Sequence, residues 1–374
     1  MARGLGVLGV ALMLLLMGTF ALPIPVWRTG AWPVPPLSLV EGGPAVRLPV
    51  RLWIETDAAC GQSRTTDPDD CLALLLLAQA RGVDIVGIST VYGNAPLDVT
   101  DRTTRDLMAA LDRAGAPSPP VYRGAAAPEG EDGAVAPAPA FSALQQALMD
   151  GPLTLVSLGP LTNVATALRD RPDLQAHVAR LVAVMGRRRG HLFHPAEGAG
   201  GGMLFGHGPV FRDFNFAKDR RAAAAVLGMR LPTTLIPYEA ARKVSLTGRD
   251  LAHLAAHGGA AAWVASRARG WLDFWAEAIG RDGFYPFDLL AGAYVLAPHL
   301  FDCAAVTAWV GEDDLLWAWF ARPQALLVGG ARERPAEGRV SSTVVYCPQM
   351  DATVHHWLVS QLTAPGQGGT QRGE

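Results

Sequence analysis

Charge is scarce in this chain, and neither sign dominates. Only 18% of its 374 residues are Asp, Glu, Lys or Arg, and 32 basic residues face 34 acidic ones, for a net charge of −2. No basic stripe with interleaved aromatics appears, so no nucleic-acid partner is expected. The triplet Arg187-Arg188-Arg189 reads as a solvated loop or a local anion contact. Familiar catalytic signatures are missing too. No Gly-x-Ser-x-Gly elbow supports a serine nucleophile. The stretch 198–208 holds six glycines but lacks the Gly-Lys-Ser/Thr ending of a phosphate loop, and reads as a flap. His253 and His257 lie four apart without the intervening Glu of a zinc helix, and read as surface or core histidines.

Cysteine is rare as well: Cys60, Cys71, Cys303 and Cys347. Cys60 lies in a polar loop and Cys71 follows Asp70, so one bridge could staple that loop, with Cys303 and Cys347 as a second pair. Four cysteines allow three pairings, and buried free thiols stay open as well. Long apolar runs are confined to the start. Met1-Ala2-Arg3 precedes an apolar segment over residues 4–22, then a Pro-rich stretch through Pro36. This is the pattern of a secretory signal or a membrane anchor, near the roughly 20 residues that span a bilayer. Residues 1–30 are therefore expected to be a signal peptide or anchor, 31–47 a linker, 48–364 the folded domain and 365–374 a disordered tail. The domain is expected outside the cytoplasm, periplasmic or extracellular, touching a membrane only through the N-terminal segment.

Half of all residues are apolar, enough for a large core. Strand-like segments at 51–56, 83–91, 120–122, 153–158, 181–185 and 233–236 alternate with helix-like ones at 69–80, 98–114 and 161–168. Residues 125–139 read as a surface loop. Residues 246–280 turn helical, and 287–297 adds a late helix. The rhythm predicts an α/β fold with a doubly wound, mostly parallel sheet flanked by helices. Ligand-binding loops belong at the strands' carboxyl ends.

The strongest chemical signal is a cluster of five acids between Ile54 and Asp70, in Glu55-Thr56-Asp57 and Asp67-Pro68-Asp69-Asp70. The second group reads as a helix start, with Asp67 as N-cap and Pro68 first in the helix. The helix dipole there favours ionised Asp69 and Asp70. Carboxylates so placed repel unless a cation gathers them, and a hard divalent ion suits oxygen ligands. Acidic capping beside a solvated loop is the plainer alternative. Further polar positions follow strand ends: Gly93-Asn94, Gly159-Pro160-Leu161-Thr162-Asn163, Asp213-Phe214-Asn215 and Phe287-Asp288.

In this order, over residues 50–300, these motifs resemble the inosine-uridine-preferring nucleoside hydrolase family, whose Asp-x-Asp-Pro-Gly-x-Asp-Asp motif is matched here with an insertion. The resemblance implies one Ca²⁺ and hydrolysis of a ribosyl N-glycosidic bond. It makes Asp57, Asp70, Asp288 and the Thr162 carbonyl metal ligands, with Asp57 also the base toward water. It makes Asp69, Asn94, Asn215 and Asp288 ribose contacts, with Asp213 toward the 5′-hydroxyl. The implied partner is a small-molecule ribonucleoside, and a homodimer or homotetramer is the assembly to look for.

Three departures stand out. Phe287 occupies the place where many members carry a His that serves as leaving-group acid; His191, His194, His207 and Tyr285 are the substitutes on offer. An insertion within 58–66 adjoins the metal ligands and is expected to reshape the pocket. Asp213 replaces Glu. Trp271 and Trp275, one helical turn apart, read as core rather than as a base-stacking platform. A non-catalytic or altered-specificity ribosyl-binding protein of the same fold is the competing reading.

Overall fold

The computed structural model describes residues 37–113, 118–188, 213–312, 324–330, 333 and 335–364. The expected signal segment, the whole glycine-rich stretch 198–208 with His207, the preceding His191 and His194, and the C-terminal tail lie outside the described residues. Among those described, no helix is long and apolar enough to cross a membrane.

The strands are β1 (Val40–Glu41), β2 (Val50–Thr56), β3 (Val83–Thr90), β4 (Val121–Arg123), β5 (Leu153–Ser157), β6 (Val178–Ala183), β7 (Arg187–Arg188), β8 (Thr233–Leu235), β9 (Phe301–Glu312), β10 (Gln324–Gly329) and β11 (Ser341–Met350). They form one sheet in the order β4-β3-β2-β5-β6-β8-β11-β9-β10-β7, with β1 beside β9. All neighbours from β4 to β11 pair in parallel, whereas β9 runs antiparallel to β11 and β10. The chain steps outward from β2 to β3 and β4, then restarts at β5 and steps the other way. That reversal is the topological switch point of a doubly wound sheet, where a crevice opens at the strands' carboxyl ends. The strand pattern read from sequence stops at Ile236 and does not include β9, β10 and β11.

Helices α1 (Asp69–Gln79), α2 (Leu97–Arg113), α3 (Pro139–Met149), α4 (Thr162–Asp170), α5 (Phe214–Lys218), α6 (Arg220–Gly228), α7 (Tyr238–Ala241), α8 (Gly248–His257), α9 (Gly259–Phe274), α10 (Leu289–Leu296) and α11 (Val354–Leu362) cover the sheet. Helix α3, absent from the pattern read in the sequence, buries Ala140, Phe141, Leu144 and Leu148 on one face. Helix α1 is apolar on every side and buried from Asp69 to Leu77, as expected of a core helix. Gly292 of α10 lets that helix approach closely: a Cβ there would lie 3.3 Å from Leu76. In α2 the buried positions Leu97, Thr100, Thr104, Leu107 and Leu111 follow helical spacing, leaving a charged outer face. Helix α9 runs into a π-turn at Trp275–Ile279, ended by Gly280 in the left-handed region at φ 72°.

Helix α1 starts at Asp69, as the helix-like segment 69–80 predicts, but Pro68 rather than Asp67 is its cap. The Asp69 N–H donates to Asp67 Oδ1 at 3.2 Å. Both cysteine pairs are bonded, Cys60 to Cys71 and Cys303 to Cys347, the latter joining β9 and β11. The insertion lies against α9 and α2 instead of projecting freely. Arg64 pairs with Glu277 at 2.6 Å, and Gln62 Nε2 donates to Thr103 at 3.1 Å.

Candidate active site

Strand β2 ends at the switch point, so Asp57 emerges into the crevice, with β3 on one side and β5 on the other. Helix α1 returns with its first turn facing the same spot. The result is a knot of buried carboxylates. One oxygen each from Asp69, Asp70 and Asp288 lies within 4.8 Å of the others, and all three residues are buried. Asp57, fully buried, joins from the side: its backbone N–H donates to Asp70 Oδ1 at 3.2 Å. Thr56 adds a hydroxyl donor to the same Asp70 oxygen. The Asp288 N–H donates to Asp69 Oδ2 at 2.8 Å, tying the start of α10 to the start of α1.

Asn94 holds this arrangement together. Its N–H donates to Asp57 Oδ2 at 2.8 Å, and its Nδ2 is shared between Asp57 Oδ1 and Asp70 Oδ2 at 3.2 Å each. Both Nδ2 contacts of Asn215 go to backbone, the Leu158 carbonyl at 2.7 Å and the Val184 carbonyl at 3.1 Å. The side-chain carbonyl of each amide is the group that can still accept from a sugar hydroxyl.

Two other predicted residues are engaged differently. Asp213 caps α5, accepting from Phe216 N–H at 3.2 Å, and its second oxygen accepts from Gly186 N–H at 2.6 Å. The shorter side chain thus serves the backbone. The Thr162 carbonyl accepts from the Thr166 hydroxyl inside α4 at 2.8 Å, and its own hydroxyl donates to Asp219 at 2.8 Å. The same segment approaches the carboxylates at Gly159, where a Cβ would lie 3.2 Å from Asp57 Cγ.

Three glycines make room for this packing. A Cβ at Gly93 would fall 1.7 Å from Asp57 Oδ2, and one at Gly124 only 2.3 Å from the Thr90 carbonyl. Gly93 and Gly159 let backbone close around Asp57, and Gly124 lets it close on Thr90 and Asn163. Three further contributors have weak sequence signals. Asp219 caps α6 and receives the Thr162 hydroxyl and the Glu129 N–H; an acid just before a helix is its only cue. Lys218 is the cation whose field acts on Asp57. Tyr238, just past the carboxyl end of β8, stacks on Phe287 with ring centroids 6.0 Å apart.

The dipole argument for ionised Asp69 and Asp70 fails against burial. A helix end is worth about 0.3–1 kcal/mol at the surface, whereas removing a carboxylate from water costs several. Burial accordingly pushes Asp69 up, and pushes Asp70 and Asp288 well above the usual carboxylate range, with mutual repulsion adding to it for the last two. Asp57 rises to about 7, chiefly by burial, against the pull of the Asn94 N–H. Glu55, two residues earlier, is also raised by burial. Asp288 Oδ1 has no hydrogen-bond partner among the described residues. Hard oxygens, close spacing, buried charge and an orphaned acceptor all fit a divalent cation.

A pH dependence of stability follows. Without a cation, the folded state holds the Asp57 proton up to about pH 7, while the unfolded chain releases it near 4. Folded protein therefore binds more protons between these values, and stability falls as pH rises through that window, by roughly 4 kcal/mol for Asp57 alone. Chelated protein should melt several degrees higher at pH 5 than at pH 8, and a saturating divalent cation should reverse the order. Thermal melts of chelated protein that favour pH 8 would contradict this electrostatic picture.

Comparison with known proteins agrees with the fold. The family described as inosine-uridine preferring nucleoside hydrolase matches residues 52–347. An uncharacterised protein of Schizosaccharomyces pombe is 27% identical over 218 residues, covering 51% of this chain and 65% of that protein. The pyrimidine-specific ribonucleoside hydrolase RihA of Salmonella schwarzengrund is 26% identical over 275 residues, covering 66% of this chain and 81% of RihA. Among solved structures, a plant nucleoside hydrolase superposes with a TM-score of 0.64 at 20% identity, covering 85% of this chain and all of that one, a likeness of fold. The chain belongs to the inosine-uridine preferring nucleoside hydrolase family.

Proposed function

We propose that this protein hydrolyses the N-glycosidic bond of ribonucleosides to ribose and free base, with Ca²⁺ as its resident ion. The observation that carries the reading is the convergence of Asp57, Asp69, Asp70 and Asp288 with Asn94 at the switch point of the sheet. Asp70 and Asp288 would hold the ion together with Asp57, with Asp69 near enough to share it. The Thr162 backbone carbonyl, which accepts from the Thr166 hydroxyl, is the further ligand that the family resemblance implies. The chemistry a bound cation supplies is polarisation of water and of the sugar hydroxyls.

The rest belongs to the chain's own residues. Asp57, fixed by two Asn94 donors, takes the proton from the attacking water. Asp69 and the side-chain carbonyls of Asn94 and Asn215 accept from the ribose hydroxyls and orient the sugar for in-line attack. As the C–N bond breaks, positive charge grows on the ribose, and the surrounding carboxylates stabilise it.

Phe287 supports a second reading, in which ribose is bound but not cleaved, because its ring cannot donate a proton to a leaving base. Release of free ribose from purine and pyrimidine ribonucleosides, measured alongside ribose binding, separates the two. Turnover of a natural ribonucleoside that disappears on chelation and returns with Ca²⁺ is the expected result. Ribose binding without release from any nucleoside would overturn it in favour of the second reading.

A further inference from the structure

We propose that the Cys60–Cys71 disulfide is a positioning element of the acidic site, holding Asp57 and Asp70 together across the insertion and so setting affinity for a divalent cation. The proposal rests on the cation reading above.

Asp57 and Asp70 are thirteen positions apart in the chain. An uninterrupted Asp-x-Asp-Pro-Gly-x-Asp-Asp motif would separate the same two carboxylates by five. The bridge restores a short covalent path: Cys60 stands three residues after Asp57, and Cys71 directly follows Asp70. The path is also the buried one. Ala58, Ala59, Cys60 and Cys71 are all buried, whereas Gly61 to Thr65 are exposed. That exposed arc is held by Arg64–Glu277, a solvent-facing pair of the kind that contributes little, and by the Gln62–Thr103 contact.

The carboxylates themselves favour separation. One oxygen each of Asp69, Asp70 and Asp288 lies within 4.8 Å of the others and Asp57 is hydrogen-bonded to Asp70, so the ionised groups that a cation requires repel one another at this spacing. A tether opposes that spreading before the ion arrives. Closure probability for a flexible segment falls as length to the power of about −3/2, so replacing a thirteen-residue connection by one of about five links is worth roughly fourfold in site pre-assembly. The second disulfide, Cys303–Cys347, provides a contrast. It joins β9 and β11, neighbouring strands already hydrogen-bonded on both sides of a register shift at Cys347, so it has no comparable gap to close near the acids.

Calorimetric titration of the chelated full-length protein with Ca²⁺ tests this. Cys60→Ala/Cys71→Ala should bind Ca²⁺ about fourfold more weakly, with its circular dichroism unchanged. Cys303→Ala/Cys347→Ala should lower the melting temperature yet keep Ca²⁺ affinity within about twofold of the parent. A third variant replaces residues 58–68 by a three-residue turn and carries Cys71→Ala. With the path short again and no bridge, it should recover the parental affinity. Parental affinity in the Cys60/Cys71 variant would overturn the proposal, as would a shortened variant that binds no more tightly than it. If the double alanine variant does not fold, the shortened one decides alone: affinity equal to the parent supports the proposal, and weaker binding rejects it. Absence of Ca²⁺ binding by the parent itself would overturn the underlying cation reading, a separate failure.

Discussion

Asp57→Asn is expected to lower turnover of natural ribonucleosides by about 10³-fold or more, while the fold persists. The substitution keeps shape and volume in a fully buried position. It removes the charge that accepts the proton of water, and general-base loss typically costs about 10²–10⁴-fold. It also removes one of four mutually repelling carboxylates, so the chelated variant should melt no lower than the chelated parent at pH 8. The two measurements together distinguish a chemical role from a structural one. A variant that keeps a tenth of parental turnover would refute the assignment of Asp57 as base. One that loses turnover only by unfolding would leave Asp57 a structural residue.

Activated substrates should show the second large effect. Around Phe287 the described residues offer an apolar, aromatic wall: Tyr238 stacks on it, Tyr285 meets it edge-on at 6.3 Å, and Trp275 lies behind Tyr285 at 4.8 Å. Such a surface suits a planar base but gives no proton from position 287. We expect p-nitrophenyl riboside, whose leaving group departs unaided, to be cleaved at least about 10²-fold faster than inosine or uridine. Phe287→His should narrow that ratio if the imidazole reaches the base. Equal rates for natural and activated substrates would show that an acid is already in place. Tyr238, whose ring lies on Phe287, then becomes the first position to change, by Tyr238→Phe.

How much of this is legible in the sequence differs between strands and contacts. β2, β3, β5 and β8 are readable because buried parallel strands are short runs of β-branched and aliphatic residues bounded by polar turns. β9 and β11 are not. Phe301–Glu312 alternates weakly, its pattern diluted by the small residues Cys303, Ala304 and Ala305, and its partner strand β11 is distant in sequence. The acidic knot is legible because carboxylates at a strand end and a helix start must meet in a βα unit. The roles inside it are less so. Whether an Asp faces a sugar or a backbone N–H depends on ångström-scale geometry, and Asp213 and Thr162 illustrate this. Their partners Gly186 and Asp219 belong to other segments of the chain. Protonation escapes the sequence for a related reason, since the dipole is a local property of α1 and desolvation is a property of the whole fold.

Gly93, Gly124 and Gly159 bear on any attempt to redesign this pocket. Gly93 and Gly159 line Asp57 and Gly124 packs on Thr90 and Asn163, so a library built to broaden substrate range would naturally include them. Each contributes an empty volume that other groups fill, and at Gly93 the filler is the Asp57 carboxylate itself. Adding even one methyl there displaces the proposed base without touching a reactive group, an inactivation by addition that a screen would record as an intolerant position. Diversity is better introduced at Phe287, which is only partly buried against the core, than at the buried Tyr238 beneath it.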